Sequence, residues 1–310
     1  MALKEWCLSM STEVVWDVPE PLATLDVPVD DETTITLRRH GNPEGPRLVL
    51  SHGNGLAIDL YYPFWTLLTE DFDLVLYDLR NHGWNSVSSL HNHTLPTMIL
   101  DHDKIVEAID RHFGDKPKVG VFHSISSLIT LLSMGKGSEY AARVLFDPPL
   151  CKPGRDHQGF EEATSRLAAM TRRRTYRFNA LEDLAGILSF VPNFRNVAPG
   201  VFDLFAKTTL RESSSGEGYE LCCPPEYEAR LHEYAGTYAP LVDFDTLLSP
   251  TKVIGADPTL PYSYLPTFDF QDVDMVDYDF LPETSHFLQF EQPENCAETM
   301  LEFLKTIDLG

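Results

Sequence analysis

Lys118-Val119-Gly120-Val121-Phe122-His123-Ser124-Ile125-Ser126-Ser127 is the stretch from which the fold of this 310-residue chain can be read. A β-branched apolar run leads into a serine flanked by small polar residues, and Leu128, Leu131 and Leu132 then recur at helical spacing. The pattern predicts a strand, a sharp turn and a helix. Such a turn lifts a serine hydroxyl above a sheet and aims the next backbone N–H at the same space, as a nucleophile requires. Ser126 and Ser127 are small enough for strand and helix to approach closely. Many buried strands end in Ser-Ser, so the stretch acquires its weight from three others that fall where the same chemistry needs them.

The text around it alternates strand and helix. Thr34 to Leu37 alternates like a half-buried strand, and Arg47-Leu48-Val49-Leu50 reads as a buried one. Leu60 to Thr69 is apolar and aromatic at helical spacing, and Phe72 to Tyr77 is the next strand. A long helix carries Ile99, Ile105, Ile109 and Phe113 on one face and ends at Gly114, where a C-terminal cap belongs. The strand Arg143 to Phe146 follows the helix after Ser124. This rhythm predicts an α/β fold with a mostly parallel, doubly wound sheet.

The rhythm breaks at Asp147-Pro148-Pro149, and from Cys151 to about Leu248 the sequence reads as helices without a clear strand. Thr171-Arg172-Arg173-Arg174 stands out there, and its ordinary reading is a solvated helix face that neutralises nearby carboxylates, ahead of an anion-binding patch. The loop Ser213 to Gly218 reads as flexible. Strand character returns at Thr251 to Ile254 and near Met275 to Tyr278, and a final helix starts at Pro293. The expected organisation is a core from residues 1–150 and 249–310, interrupted by a helical lid over residues 151–248.

Three further segments carry chemistry. Ser51-His52-Gly53-Asn54-Gly55 directly follows a buried strand, and its glycines let N–H groups face a cavity. The loop offers one oxyanion-hole donor, the N–H of Asn54, with that of Ile125 as the other, and His52, Gly53 and His123 are expected to touch substrate. Tyr77-Asp78-Leu79-Arg80-Asn81-His82-Gly83-Trp84-Asn85-Ser86 is the second, and Ser285-His286-Phe287-Leu288-Gln289-Phe290-Glu291-Gln292-Pro293 the third. With these the chain resembles the α/β-hydrolase superfamily, whose members carry related Asp-x-Arg-Gly-His-Gly-x-Ser and His-Phe-x-x-x-Glu-x-Pro segments. Asn81 stands where the first of these has glycine, and Phe122 and Ser126 stand where the serine turn has glycines. The resemblance implies an α/β-hydrolase fold, a loop-pinning role for Asp78, Arg80 and His82, and His286 as the general base for Ser124. The third member is a carboxylate that orients the imidazole. Asp257, just past the strand after the lid, is preferred because Ser124, Asp257, His286 is the usual order, with Asp147 as the rival.

Composition narrows the partners. The chain holds 47 acidic and 24 basic residues, a formal net charge of −23. Such a surface repels phosphate backbones and anionic lipid, which argues against nucleic acid. No segment approaches the ~20 apolar residues of a membrane span, and the start of the chain lacks the apolar run of a signal peptide. Cys7, Cys151, Cys222, Cys223 and Cys296 are odd in number and match no zinc spacing, so free thiols and a cytoplasmic location are expected. The sequence carries no signal for oligomeric state. The resulting expectation is a serine hydrolase, an esterase or lactonase for a small, largely apolar substrate, with no metal and no organic cofactor. The alternatives are carbon–carbon bond hydrolysis of a diketone-like substrate by the same triad, or a hydrolase-like binding protein without turnover. The dehalogenase and epoxide-hydrolase branches use an aspartate nucleophile, and Ser124 argues against both.

Overall fold

The computed structural model describes residues 14–150, 157–260 and 276–308, so Cys7, Cys151 and Met275 lie outside the described residues. Five strands and three helices lead to the end of the first half. They are β1 (Ala23–Pro28), β2 (Thr34–Gly41), β3 (Arg47–Ser51), α1 (Tyr62–Trp65), β4 (Asp73–Tyr77), α2 (Leu95–Phe113), β5 (Lys118–His123) and α3 (Ile125–Leu131), before β6 (Ala142–Phe146). Helix α2 starts where Thr94 Oγ1 accepts from the Thr97 N–H at 3.2 Å and stops at Gly114 with φ 90°.

Between β6 and the next core strand run α4 (His157–Thr171), β7 (Arg177–Phe178), α5 (Leu181–Leu188), α6 (Val201–Thr209), β8 (Leu210–Glu212), β9 (Tyr219–Leu221) and α7 (Pro225–Tyr238). The strands correct the expectation of an all-helical segment. They pair antiparallel in the order β7-β9-β8 and are two or three residues long, too short to print an alternating pattern on the sequence. Ser213 to Gly218, expected as a flexible loop, is the turn of the β8–β9 hairpin, closed by Ser213 N–H to Gly218 O at 2.9 Å. The chain then re-enters the core as β10 (Thr251–Gly255), β11 (Asp277–Phe280), α8 (Leu288–Glu291) and α9 (Pro293–Thr306).

The core sheet has the order β1-β2-β4-β3-β5-β6-β10-β11, parallel from β4 onward, with β1 and β2 antiparallel at one edge. Its central strands are apolar without alternation because both faces are covered. Leu48, Leu50, Leu74, Leu76, Val121 and Phe146 face one way and pack with Phe64, Met300 and Leu304 of α1 and α9. Val49, Val75, Phe122 and Leu145 face the other way, onto Ile105, Ile109 and Leu128 of α2 and α3. The C-terminal ends of β3, β4, β5, β6 and β10 all lie along one rim, where open α/β sheets place ligands.

At the opposite rim Asp73 opens β4 with a fully buried carboxylate. It accepts from Arg39 Nε at 2.7 Å and Arg47 Nε at 2.9 Å, with Lys116 Nζ at 3.0 Å. Arg47 is itself fully buried. Asp73→Ala would leave that guanidinium without its counter-charge, and the expected cost is about 3–5 kcal/mol. A fall in urea midpoint at unchanged slope measures it, and a loss below about 1 kcal/mol would show that the cluster tolerates the vacancy.

Candidate active site

The turn after β5 places Ser124 at φ 54°, ψ −120°, outside the regions open to most non-glycine residues. Ser124 N–H donates to Phe146 O at 3.0 Å, tying the turn to β6. Ser126, standing in place of a glycine, accepts from the His123 N–H at 3.0 Å and donates to His123 O at 2.9 Å. Phe122 does not crowd the turn. Its ring folds back over Gly120, where an added Cβ would lie 2.5 Å from Phe122 Cε2, so the small residue has moved two positions upstream.

A hydrogen-bonded chain runs from this serine. Ser124 Oγ lies 3.0 Å from His286 Nε2, and His286 Nδ1 lies 2.5 Å from Asp147 Oδ2. The preference for Asp257 over Asp147 is therefore corrected: the imidazole's partner is Asp147. Strand β6 adjoins β5, whereas β10 is one strand further out, so an acid at the end of β6 has the shorter reach. Asp147, at φ 36°, is turned towards the histidine, and its Oδ1 is held by the Ala256 N–H at 3.0 Å. Asp257 is occupied elsewhere: Oδ1 accepts from Thr259 N–H at 2.9 Å and Oγ1 at 2.6 Å, and Oδ2 from Glu283 N–H at 2.8 Å. The His286 loop is braced by Glu291, which accepts from Ser285 N–H at 2.6 Å and Ser285 Oγ at 2.8 Å.

Two of the expected substrate contacts are structural instead. His123 lies between Tyr61 Oη at 2.6 Å and the His286 carbonyl at 2.9 Å, so it positions the His286 loop. His52 Nδ1 meets Gly53 O at 2.7 Å and its Nε2 accepts from the Leu79 N–H at 3.0 Å, which buries the ring beneath the loop. Gly53 and Asn54 do line a cavity with Ser124. In that loop Gly53 N–H donates to Tyr61 Oη, Gly55 N–H to His82 Nε2, and Leu56 N–H to Gly53 O. Among the described residues the Asn54 N–H has no acceptor, which leaves it for a ligand. Ile125 opens α3, and an N–H at that position has no partner within its helix.

Loop placement comes from buried polar side chains. Asp78 accepts from Arg38 Nη2 at 2.7 Å and from the Ile58 and Trp84 N–H groups at 2.8 and 3.1 Å. Arg80 grips Asp101 at 2.6 and 2.7 Å, and Asn81 takes the left-handed conformation at φ 64° in place of the family's glycine. Glu228 of α7, which sequence reasoning did not single out, closes the loop from above. Its carbonyl accepts from Asn54 Nδ2 at 2.8 Å, and its carboxylate fills the space a Cβ on Gly55 (φ 73°) would need. Burial would raise the Glu228 carboxyl, but the paired Arg174 guanidinium and nearby His232 outweigh it and hold it below the ordinary range.

The cavity holds about 500 Å³. One wall is apolar, with Phe178 of β7, Leu184 and Leu188 of α5, Phe194 between α5 and α6, Phe205 of α6, and Phe287 from the loop that carries His286. Core loops supply the opposite wall with Ser124, His286 and Asn54.

The model of the alpha/beta hydrolase family matches residues 48–299. The chain belongs to this family. Solved structures resemble this hydrolase along most of their length. E-2-(acetamidomethylene)succinate hydrolase superposes with a TM-score of 0.74 at 14% identity, covering 91% of this chain and 99% of that one. A thioesterase domain from the curacin biosynthetic pathway gives 0.69 at 16% identity, covering 90% and 99%. A thermophilic esterase from Thermogutta terrifontis gives 0.64 at 18% identity, covering 92% and 99%. No curated protein matches the sequence. Among the described residues no helix is long and apolar enough to cross a membrane.

Buried histidines give the hydrolase an acid-sensitive edge. Burial, with His52 beside it, pushes the His82 imidazole down to about 3, and burial near Arg38 pushes His40 down to about 4. Both then bind protons more readily in the unfolded chain. Their stabilisation is complete above the ordinary histidine pKa of about 6.5 and is lost as the pH falls from there towards the folded values. Each adds up to about 1.4 kcal/mol per pH unit in that window. Urea midpoints should fall steadily between pH 7 and pH 4.5. His82→Gln, whose amide oxygen can still accept from Gly55, should flatten the slope by one histidine's share. A slope identical to wild type would remove His82 from this account.

Proposed function

We propose that this chain is a serine hydrolase that cleaves an ester or lactone of a small, largely apolar substrate through an acyl-enzyme on Ser124. The observation that carries the reading is the Ser124–His286–Asp147 chain opening onto a largely apolar cavity beside two backbone N–H groups. Ser124 Oγ attacks the acyl carbon while His286 Nε2 takes its proton, and Asp147 holds the proton on Nδ1 and stabilises the imidazolium. The N–H groups of Asn54 and Ile125 receive the developing oxyanion. His286 then returns its proton to the leaving alkoxide, and the acyl group stays on Ser124. In the second half His286 takes a proton from water, the hydroxide displaces the acyl group as an acid, and the proton returns to Ser124. The segment from 151 to 248 acts as a lid, its apolar side chains excluding water and selecting the acyl group.

Ser124→Ala should lower ester turnover by roughly 10⁴- to 10⁶-fold and abolish labelling by a fluorophosphonate, with folding intact. Near-normal turnover in this variant would end the proposal. Asp147→Asn should cost roughly 10²- to 10⁴-fold in kcat by favouring the wrong imidazole tautomer, and Asp257→Asn less than about tenfold. Steady-state kinetics of the two variants on one ester ranks them, and the opposite ranking would return the acid to Asp257.

A further inference from the structure

The arginine run at the end of α4 divides into three different fates. Arg172 Nε and Nη1 meet Glu226 at 2.8 Å and Glu233 at 2.7 Å, joining the end of α4 to α7 by a surface ion-pair cluster. Arg174 pairs with the buried Glu228. Arg173 does neither. Among the described residues its guanidinium makes no ion pair, and it lines the cavity that holds Ser124. A chain with 47 acidic and 24 basic residues has carboxylates to offer at most positions, so an unpaired guanidinium on a cavity wall is a departure from its surroundings.

The other charges facing that space do not cancel it. Among the described residues Glu228 is the one carboxylate on the wall, and Arg174 already neutralises it, with His232 3.6 Å away on the other side. Among the described residues Arg173 is thus the lining charge left without a counter-ion, beside a wall of leucine and phenylalanine and across the cavity from His286 with its Asp147 partner. Arg173 is an exposed residue at the cavity's edge, so a wholly apolar ligand leaves its guanidinium in water and gains nothing from it. A ligand carrying an anion would replace that water with a charge-assisted hydrogen bond.

We infer that the cavity takes an amphiphilic substrate, its apolar chain along Leu184, Leu188 and Phe194 and an anionic carboxylate or phosphate group held by Arg173. This deepens the serine-hydrolase reading by naming the substrate's second recognition feature, and it rests on that reading only for turnover.

Two matched ester pairs test it. One places the anion on the acyl side, mono-4-nitrophenyl adipate against 4-nitrophenyl hexanoate. The other places it on the leaving group, 4-(hexanoyloxy)benzoate against 4-methylphenyl hexanoate. The ratio of kcat/KM for anionic over neutral ester should fall about tenfold in Arg173→Gln in at least one pair, and further in Arg173→Glu. The pair that responds tells which side carries the anion. A change below about threefold in both pairs overturns the inference while leaving the hydrolase reading intact. Calorimetric titration with monoethyl adipate, comparing Ser124→Ala with Ser124→Ala/Arg173→Gln, reads the site without turnover. An affinity about tenfold weaker in the double variant, in a protein that hydrolyses none of the esters, would keep the anion site and remove the hydrolase reading. No hydrolysis together with equal affinities would overturn both.

Discussion

Ser124 occupies a left-handed backbone conformation that costs a non-glycine residue on the order of 1–3 kcal/mol, and the surrounding structure over-determines it. Strand β5 is paired on both sides, by β3 and β6, and cannot shift to relieve the turn. Phe146 O on β6 takes the Ser124 N–H, and α3 begins on the next residue. The hydroxyl is thereby lifted towards His286, and the Ile125 N–H opens α3 beside it. The Phe122 ring, placed over Gly120 and buried with α2 and α3, adds packing on the far face that the turn would lose if the strand slipped. Everything else around the site is placed relative to this one strained residue.

The loops at the same rim are held by buried polar contacts more than by apolar packing. Asp78 and Arg38, Arg80 and Asp101, and His52 beneath Gly53 all give up solvation, so their net contribution to stability is small. Their effect is geometric: the Gly53, Gly55 and Leu56 N–H groups each have an acceptor, and among the described residues the Asn54 N–H has none. Glu228 extends this logic to the segment between β6 and β10, because α7 can contact the Asn54 loop only when the segment sits over the strand ends. The cavity wall and the loop beneath it are thus assembled by the same contact.

Parts of this were legible in the sequence for identifiable reasons. Strands β3, β4, β5 and β6 print unbroken apolar runs because helices cover both faces, and β5 running into Ser124 shows the turn directly. Asn81 could be read as a glycine substitute because asparagine tolerates the left-handed region. His286 was singled out among eleven histidines by the phrase around it, and Glu291 within that phrase proves to brace the loop. Strands β7, β8 and β9 were not legible, since two or three residues cannot show a period. His52 and His123 were misread because a histidine beside a reactive loop looks the same in sequence whether its ring faces the cavity or the core.

The sequence by itself determined the core strands from β2 onward, the serine turn and the histidine loop, because each is encoded by neighbours a few residues apart. Choices between distant residues were left to the tertiary structure. Asp147 and Asp257 both follow core strands, and only the adjacency of β5 and β6 and the three donors around Asp257 decide which one meets the imidazole. The same holds for Arg172, Arg173 and Arg174, chemically identical in the sequence. Their different partners arise from the turn that follows α4, which points successive side chains in different directions, and from what α7 brings to meet them.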